Sequence, residues 1–166
     1  MRKVFFMLSV MLSVYSVVHA IGISTLGNIK GAYMDLSGRT HKVADHKGNV
    51  LLLNFWAGWC APCLAEVPRL NAIYAKYSAQ GFSIIALSVD QMDLPQIRSE
   101  VKSLRMQFPV GRAEKELLEE VGISQIPVSF LFDRDGNLLR KYIGIPPGDT
   151  MTFDIEKALA SGSKKK

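Results

Sequence analysis

One stretch of the sequence restricts the fold more than any other, the apolar run Val50-Leu51-Leu52-Leu53-Asn54-Phe55-Trp56. A strand with one wet face alternates apolar and polar residues, whereas a continuous apolar run predicts a strand that is covered on both faces. Such strands occur in sheets with helices on both sides, so this run favours an α/β fold. Lys47-Gly48 is a turn signal, which puts the start of the strand near Asn49.

The segment after this run carries a helical pattern. Ala57-Gly58-Trp59 leads into residues whose apolar members recur every three or four positions, which predicts an amphipathic helix. Pro68 should kink this helix because it removes one backbone donor, and Gly81 is placed to end it.

The rest of the chain alternates between strand and helix signals. Strands are expected at 32–36, 40–43, 82–89, 108–110, 128–132 and 138–143, and helices after the cap residue Asp93, at 114–121 and at 150–160. The turn sequence 133–137 predicts a hairpin between the last two strands. This order predicts an α/β fold with a central mixed β-sheet flanked by helices, partly parallel and ending in an antiparallel hairpin.

The charge of the chain is concentrated at its ends. The 166 residues carry a formal net charge of +5, and Arg2, Lys3 and the run Lys164-Lys165-Lys166 account for all of it. The remaining, electrically neutral chain shows no basic stripe with interleaved aromatic residues, which argues against binding to nucleic acid. Its length suits one domain with a core of ordinary size.

The first twenty residues are typical of an export signal. Two basic residues precede an apolar stretch at 4–18, and Val18-His19-Ala20 offers a cleavage site with small residues. An uncleaved stretch that continues to Ile23 would also suit a membrane anchor. The domain is thus expected to be periplasmic, either soluble or tethered to the inner membrane. We expect a signal peptide or N-terminal anchor at 1–20, a single domain at 21–160 and a disordered basic tail at 161–166.

The two cysteines of the chain lie in the sequence Cys60-Ala61-Pro62-Cys63. An exported domain works in an oxidising compartment, where structural disulfides persist. A disulfide stabilises a protein mainly by closing a long loop of the unfolded chain, and a bridge over two intervening residues closes almost none. This spacing therefore favours a reactive pair over a structural one.

The position of the pair at the start of a helix also favours redox chemistry. A helix N-terminus presents unpaired N–H groups and about half a positive charge, and both stabilise a thiolate. Cys60 should therefore have a lowered pKa and act as the nucleophile, and Pro62 fits the first helical turn. Cys63 lies one turn further in, is expected to be more deeply buried, and should resolve the mixed disulfide that Cys60 forms.

Other uses of a C-x-x-C sequence have to be weighed against redox chemistry. A structural zinc site needs four ligands, and outside the export signal the histidines are His41 and His46. Covalent haem attachment needs a histidine after the second cysteine, where Leu64 stands. A purely structural bridge is the third alternative. We accordingly expect no metal and no cofactor.

The segment from Asn54 to Cys63 resembles the active-site segment of the thioredoxin superfamily. Glu66 and Pro68 after the second cysteine, and the segment 126–136, are similar to the extracytoplasmic thioredoxin-like thiol–disulfide reductases. This is the TlpA- and ResA-like family, which includes the cytochrome c maturation thioredoxins. The resemblance covers about residues 33 to 160. It implies a thioredoxin fold with an N-terminal β extension and an extra central helical insert near 93–107.

The resemblance also implies roles for residues around the pair. Pro127 matches a proline that is cis and lies beside the cysteines, and Ile126 before it would pair its backbone with an extended substrate. Trp59 and Pro62 would complete the substrate-binding surface. Glu66 has two interpretations, either a carboxylate that the helix dipole favours or a group that handles protons.

Asn54 departs from the pattern of ordinary thioredoxins. Those proteins carry a buried Asp at this position, paired with a Lys on the next strand, and the matching residues here are Asn54 and Ala86. An amide cannot take the proton of Cys63 as a carboxylate could, so Asn54 is expected to support the site without exchanging protons. The extracytoplasmic family often has Asn there.

The function that these features predict is disulfide exchange. We expect a monomeric reductase of protein disulfides, with a membrane thiol reductant as electron donor and apocytochrome c as the substrate that the family suggests. A disulfide oxidant or isomerase is an alternative, although strong oxidants of the superfamily often carry His between the cysteines. A binding module or chaperone is a second alternative. A thiol peroxidase is a third, but related peroxidases have Thr or Ser three residues before the attacking Cys, where Ala57 stands here.

Overall fold

The computed structural model describes residues 23–90 and 92–161. The predicted signal peptide or anchor at 1–20 lies outside the described residues, as does most of the predicted tail. Ser161, which was assigned to that tail, is the last residue of the final helix. Within the described ranges, no helix is both long enough and apolar enough to cross a bilayer.

The described residues form a seven-stranded mixed sheet in the order β2-β1-β5-β4-β3-β6-β7. The central strands β3, β4 and β5 are parallel to one another, and all other neighbours are antiparallel. The predicted α/β class with a central mixed sheet is therefore confirmed. The strands are β1 (Ala32–Asp35), β2 (Thr40–Lys42), β3 (Val50–Trp56), β4 (Phe82–Ser88), β5 (Val110–Ala113), β6 (Val128–Phe132) and β7 (Leu138–Ile143).

Two of the helices have ends that are marked by residues with a clear capping role. The longest helix runs through Pro68 and ends in a 3-10 turn followed by Gly81, whose φ of 85° is left-handed. The insert helix begins with a capping box in which Asp93 and Gln96 satisfy each other's backbone N–H groups. The helices are α1 (Ala61–Tyr77), α2 (Leu94–Ser103), α3 (Lys115–Val121) and α4 (Thr150–Ser161).

The sheet separates two apolar cores, and β3 contributes to both because successive side chains point to opposite faces. Every residue of β3 is buried, as the apolar run predicted. The α1-side core includes Val50, Leu52, Trp56, Cys60, Cys63, Leu70, Ile73, Ile97, Met151 and Ile155. The α3-side core includes Leu26, Ile29, Leu51, Leu53, Phe55, Ile85, Leu117, Val121, Phe130 and Phe132.

Strand β5 lies further along the chain than the sequence predicted, at Val110–Ala113 instead of 108–110. Pro109 has no N–H to donate to a ladder, although its carbonyl accepts from the N–H of Ala86. Beyond it, β1 pairs along the strand as far as Ala113. Gly111 permits this pairing, since a Cβ there would lie 2.6 Å from the carbonyl oxygen of Met34.

No clear sequence signal marked the first described segment, yet that segment is part of the core. Leu26 and Ile29 are buried in the α3-side core around a short 3-10 turn. Backbone bonds from Leu26 N–H to Gly136 and from Leu138 N–H to Ser24 tie the segment to the β6–β7 hairpin. A second 3-10 turn at Val43–His46 takes Val43 out of the strand that was predicted to include it.

Candidate active site

The cysteine pair lies in the turn that connects β3 to α1. Cys60 N–H donates to the carbonyl oxygen of Ala57 at 3.1 Å, which closes a tight turn over Gly58 and Trp59. Cys60 then caps α1, because its Sγ accepts from the N–H of Cys63 at 3.2 Å. A disulfide joins the two residues. The pair is therefore held by the first backbone groups of a helix, where a thiolate is stabilised.

The two cysteines are equally buried, with Cys60 5% and Cys63 4% exposed. The prediction that Cys63 would be more deeply buried is wrong for this oxidised form. The disulfide brings the two sulfur atoms together, and the tight turn holds Cys60 against the same core as Cys63.

The two tryptophans around the turn have opposite environments. Trp56 is 2% exposed and packs in the α1-side core, as the sequence predicted. Trp59 is 73% exposed beside the cysteines. This exposed indole forms a large apolar surface next to the disulfide.

The Ile126–Pro127 peptide bond is cis, the isomer that the family resemblance implied. Phe55 is paired with Val128 in the antiparallel β3–β6 ladder. The first residues of β6 therefore lie at the same edge of the sheet as the end of β3, where the cysteine turn begins. Pro127 is buried, and Ile126 is half-buried against both cores.

Asn54 lies in the middle of β3 and is 3% exposed. Its neighbours across the sheet are Ala86 on β4 and Ser129 on β6, and its side-chain N–H donates to the Ser129 hydroxyl at 2.9 Å. The strand alternation places it on the same face as Leu52 and Trp56, which is the face that α1 covers. The position that holds a carboxylate in ordinary thioredoxins thus holds a neutral, hydrogen-bonded amide here.

Glu66 lies on α1, three residues after Cys63, and is 2% exposed. Its Oε1 is buried without a hydrogen-bond partner among the described residues. Burial raises the pKa of Glu66 to about 7, although the nearby Arg69 guanidinium lowers it in part. Residues three apart on a helix are neighbours, so the Glu66 carboxyl and Cys63 share one face of α1.

Two further carboxylates reach the cysteine turn, and the sequence analysis named neither of them. Asp90 accepts from the N–H of Gly58 at 2.8 Å through its Oδ2. The carboxylate of Glu100, from α2, lies against Gly58 so closely that a Cβ there would be 2.3 Å from both oxygens.

A sequence signal existed for one of these two residues. Asp90 follows the buried strand β4, which is parallel to β3, and the ends of parallel strands meet at one edge of a sheet. Its proximity to the turn after β3 could therefore have been expected. No sequence pattern marks Glu100, because its position depends on how α2 packs.

The histidines weighed as zinc ligands lie on the β1–β2 side of the sheet. His41 contacts the Asp35 carboxylate and His46 contacts the Tyr33 hydroxyl, both at 2.8 Å. The Tyr33 ring lies 5.3 Å from that of His41 and 5.9 Å from that of His46. Across the part of the chain that the structure describes, no three His, Cys, Asp or Glu residues are grouped to hold a metal ion.

Comparison with known sequences finds thiol–disulfide proteins. The AhpC/TSA family matches residues 27–141. The thiol-disulfide oxidoreductase ResA of Bacillus thuringiensis subsp. konkukian is 38% identical over 111 residues, which make up 66% of this chain and 64% of that protein. The chain therefore spans less than two thirds of that relative. ResA of Geobacillus thermodenitrificans is 33% identical over 129 residues, 76% of this chain and 71% of that protein.

Comparison with solved structures finds the same fold. A thiol:disulfide interchange protein of the thioredoxin family from Chlorobium tepidum TLS superposes with a TM-score of 0.67 at 27% identity. The match covers 77% of this chain and 92% of that one. The thioredoxin fold that the sequence predicted is thus confirmed.

Proposed function

The chain belongs to the AhpC/TSA family and, within it, to the ResA-like thiol–disulfide oxidoreductases, and from this premise we propose that it is an extracytoplasmic reductase of protein disulfides. One observation carries the proposal. The Cys60–Cys63 disulfide caps the N-terminus of α1, directly after the exposed Trp59. A redox pair at a helix N-terminus, beside an apolar docking surface, suits exchange with a disulfide on another protein.

The reaction begins with the reduced pair. The Cys60 thiolate attacks one sulfur of the substrate disulfide, and the other substrate sulfur leaves as a thiolate and takes up a proton. A mixed disulfide then joins Cys60 to the substrate. Trp59, Pro62 and the backbone of Ile126 beside Pro127 would hold the substrate segment during this step.

Cys63 completes the reaction. Its thiol loses a proton and attacks the Sγ of Cys60, which releases the second substrate thiolate and restores the Cys60–Cys63 disulfide. Two electrons pass from the pair to the substrate. Glu66 would accept the Cys63 proton, because a buried carboxyl with a pKa of about 7 can hold or release a proton near neutral pH.

The compartment and the electron donor belong to the same proposal. The export signal or anchor predicted at 1–20 would place the domain in the periplasm, where the environment is oxidising. A reductase there needs a supply of electrons, which a membrane thiol reductant would provide by reducing the pair. Apocytochrome c, whose haem-binding cysteines must be reduced, is the substrate that the family resemblance suggests.

The direction of exchange is tested by the reduction potential of the Cys60–Cys63 pair in a graded thiol–disulfide buffer. A reductase is expected near the thioredoxin value of about −270 mV. A value near −120 mV, typical of a strong oxidant, would instead make the protein a disulfide donor.

Cysteine variants test the roles of the two sulfurs. Cys60→Ser should abolish reduction of a protein disulfide, whereas Cys63→Ser should accumulate a mixed disulfide that can be isolated under non-reducing conditions. The double variant, which has no cysteine, is the matched control. Retention of function in Cys60→Ser would favour the binding-module or chaperone alternative.

A further inference from the structure

The contact between Glu100 and the cysteine turn depends on glycine at position 58. A Cβ on Gly58 would lie 2.3 Å from both Glu100 oxygens and 2.6 Å from the carboxyl carbon, far inside any normal contact. The absence of a side chain therefore makes room for a carboxylate at this position. Gly58 is also part of the turn that the Cys60 N–H closes on Ala57.

Asp90 also contacts Gly58, through a hydrogen bond. Its Oδ2 accepts from the Gly58 N–H at 2.8 Å, and its own N–H donates to the Ser88 hydroxyl at 3.2 Å, which anchors it at the end of β4. Two carboxylates from separate elements thus converge on one residue of the turn. Consecutive Cα atoms are about 3.8 Å apart, so Gly58 Cα lies within about 7.6 Å of Cys60 Cα.

Neither carboxylate forms an ion pair with a cation among the described residues. The ion pairs found among residues 23–90 and 92–161 include neither Asp90 nor Glu100. The Glu100 Oε2 is buried without a hydrogen-bond partner in the described structure. Burial, followed by the nearby Asp90 charge, raises the pKa of Glu100, as expected for a partly buried carboxyl close to a like charge.

We propose that Glu100, which lies against Gly58 beside Asp90, is a positioning residue. Its negative charge destabilises the Cys60 thiolate and so lowers the reduction potential of the cysteine pair. This inference rests on the proposed function, since it names a feature that sets the direction of exchange. The N-terminus of α1 stabilises the thiolate, and the two carboxylates act against that effect. A pair whose reduced form is less stable gives up its electrons more readily, whereas strong oxidants have a stabilised reduced form.

Glu100→Gln tests the proposal because it removes the charge and keeps the shape of the side chain. The pKa of Cys60 is measured in the reduced protein from the pH dependence of its alkylation by iodoacetamide. It should fall by about half a unit, a threefold change in ionisation constant, as expected for a nearby charge in a partly solvated site. The reduction potential should rise by about 15 mV, which is that threefold change converted for two electrons.

Gly58→Ala tests the effect of the Glu100 charge by changing the residue that the Glu100 carboxylate contacts. The added methyl group should push the flexible Glu100 carboxylate away from the turn, so the Cys60 pKa should again fall. Glu116→Gln is the matched control, since Glu116 is exposed on α3 and its removal changes the net charge equally. If Gly58→Ala does not fold, Glu100→Gln alone decides the result.

The pH profile separates this effect from a merely structural role. The difference in reduction potential between wild type and Glu100→Gln should grow as the pH rises through the titration of Glu100, and a structural defect would give no such trend. An unchanged or raised Cys60 pKa in Glu100→Gln, or an equal shift in Glu116→Gln, would overturn the proposal. The test compares variants, so a wild-type potential typical of a strong oxidant would refute the reductase function and leave the predicted difference still measurable.

Discussion

The two faces of the central sheet are both buried but differ in chemistry. On the face toward α3, the core residues of β3, β4 and β6 are all apolar, from Leu51, Leu53 and Phe55 to Phe130 and Phe132. On the face toward α1, the same strands also carry buried polar side chains. Asn54, Ser88 and Ser129 lie on this face by strand alternation, and Glu66 lies on α1 above it.

The difference between the two faces lies in the free energy that it costs to bury polar groups, which only the α1 face contains along these strands. Burying a polar group destabilises a fold unless its hydrogen bonds are satisfied. Asn54 and Ser129 satisfy each other, whereas Glu66 has a buried oxygen with no partner among the described residues. Along these strands the α3 face is thus purely apolar, whereas the α1 face combines apolar packing with buried polar groups on the side where the cysteines lie.

The largest expected change in stability comes from the apolar face. Leu53 is 0% exposed in the α3-side core, so Leu53→Ala should leave a cavity and lower the free energy of unfolding by about 3 to 4 kcal/mol. The reduction potential should stay unchanged, because the lost contacts lie on the face away from the cysteines. Denaturant titration and a thiol–disulfide buffer measure the two quantities. Leu139→Ala, at a half-exposed position on β7, is the control for the truncation itself.

A result in which Leu53→Ala shifted the potential by as much as a change on the α1 face would contradict the division between the faces. Leu53→Ala and its control Leu139→Ala should be compared with the wild type at a pH and temperature where all three proteins are fully folded. Only then does the potential report on the site and not on unfolding.

The second prediction concerns Glu66 and the pH dependence of stability. Its pKa in the folded protein is about 7, above the ordinary value of 4.5. Because the folded-state pKa is raised, the stability associated with this group is fully present below pH 4.5 and is lost as the pH rises through 7. The two pKa values differ by about 2.5, which corresponds to about 3 kcal/mol.

Glu66→Gln should remove this dependence. Its advantage in unfolding free energy over the wild type should be small near pH 4 and grow to about 3 kcal/mol near pH 8. The resolving step should slow in the same variant if Glu66 accepts the Cys63 proton, as the proposed function requires. An exposed Glu116→Gln variant controls for net charge. A stability difference that stayed constant from pH 4 to pH 8 would show that Glu66 does not titrate in this range.

The sequence predicted those parts of the fold whose signals are local. The apolar runs of β3 and β4 and the helical spacing of α1 each follow from burial of the segment itself. Strand β5 was displaced because Val110–Ala113 has weak β propensity and is a strand only through its pairing with β1 and β4. The buried turn at Leu26–Asn28 was missed for a similar reason, since two apolar residues have no period.

The site was predictable to a similar degree. The cysteine pair follows from motif spacing, and the surface position of Trp59 and the neighbouring positions of Asn54 and Ala86 follow from the family resemblance. The equal burial of Cys60 and the contact of Glu100 with Gly58 do not, because both depend on how a turn and a helix pack in three dimensions. A short motif therefore identified the reactive residues, whereas the charged groups around them could be identified only from the structure.

The last prediction, which has the smallest expected effect, tests whether Asn54 and Ser129 on the α1 face have a purely structural role. Asn54→Ala leaves the buried Ser129 hydroxyl without its partner, and Ser129→Ala does the same to the amide, so each should cost about 1 to 3 kcal/mol of unfolding free energy. A double-mutant cycle of the two should give a coupling of about 1 kcal/mol. This coupling should be constant from pH 5 to 9, since neither group titrates there. A coupling that changed with pH would mean that the hydrogen bond senses the charge of Glu66 or of the cysteines, and the strand residues would then belong to the proton-handling part of the site.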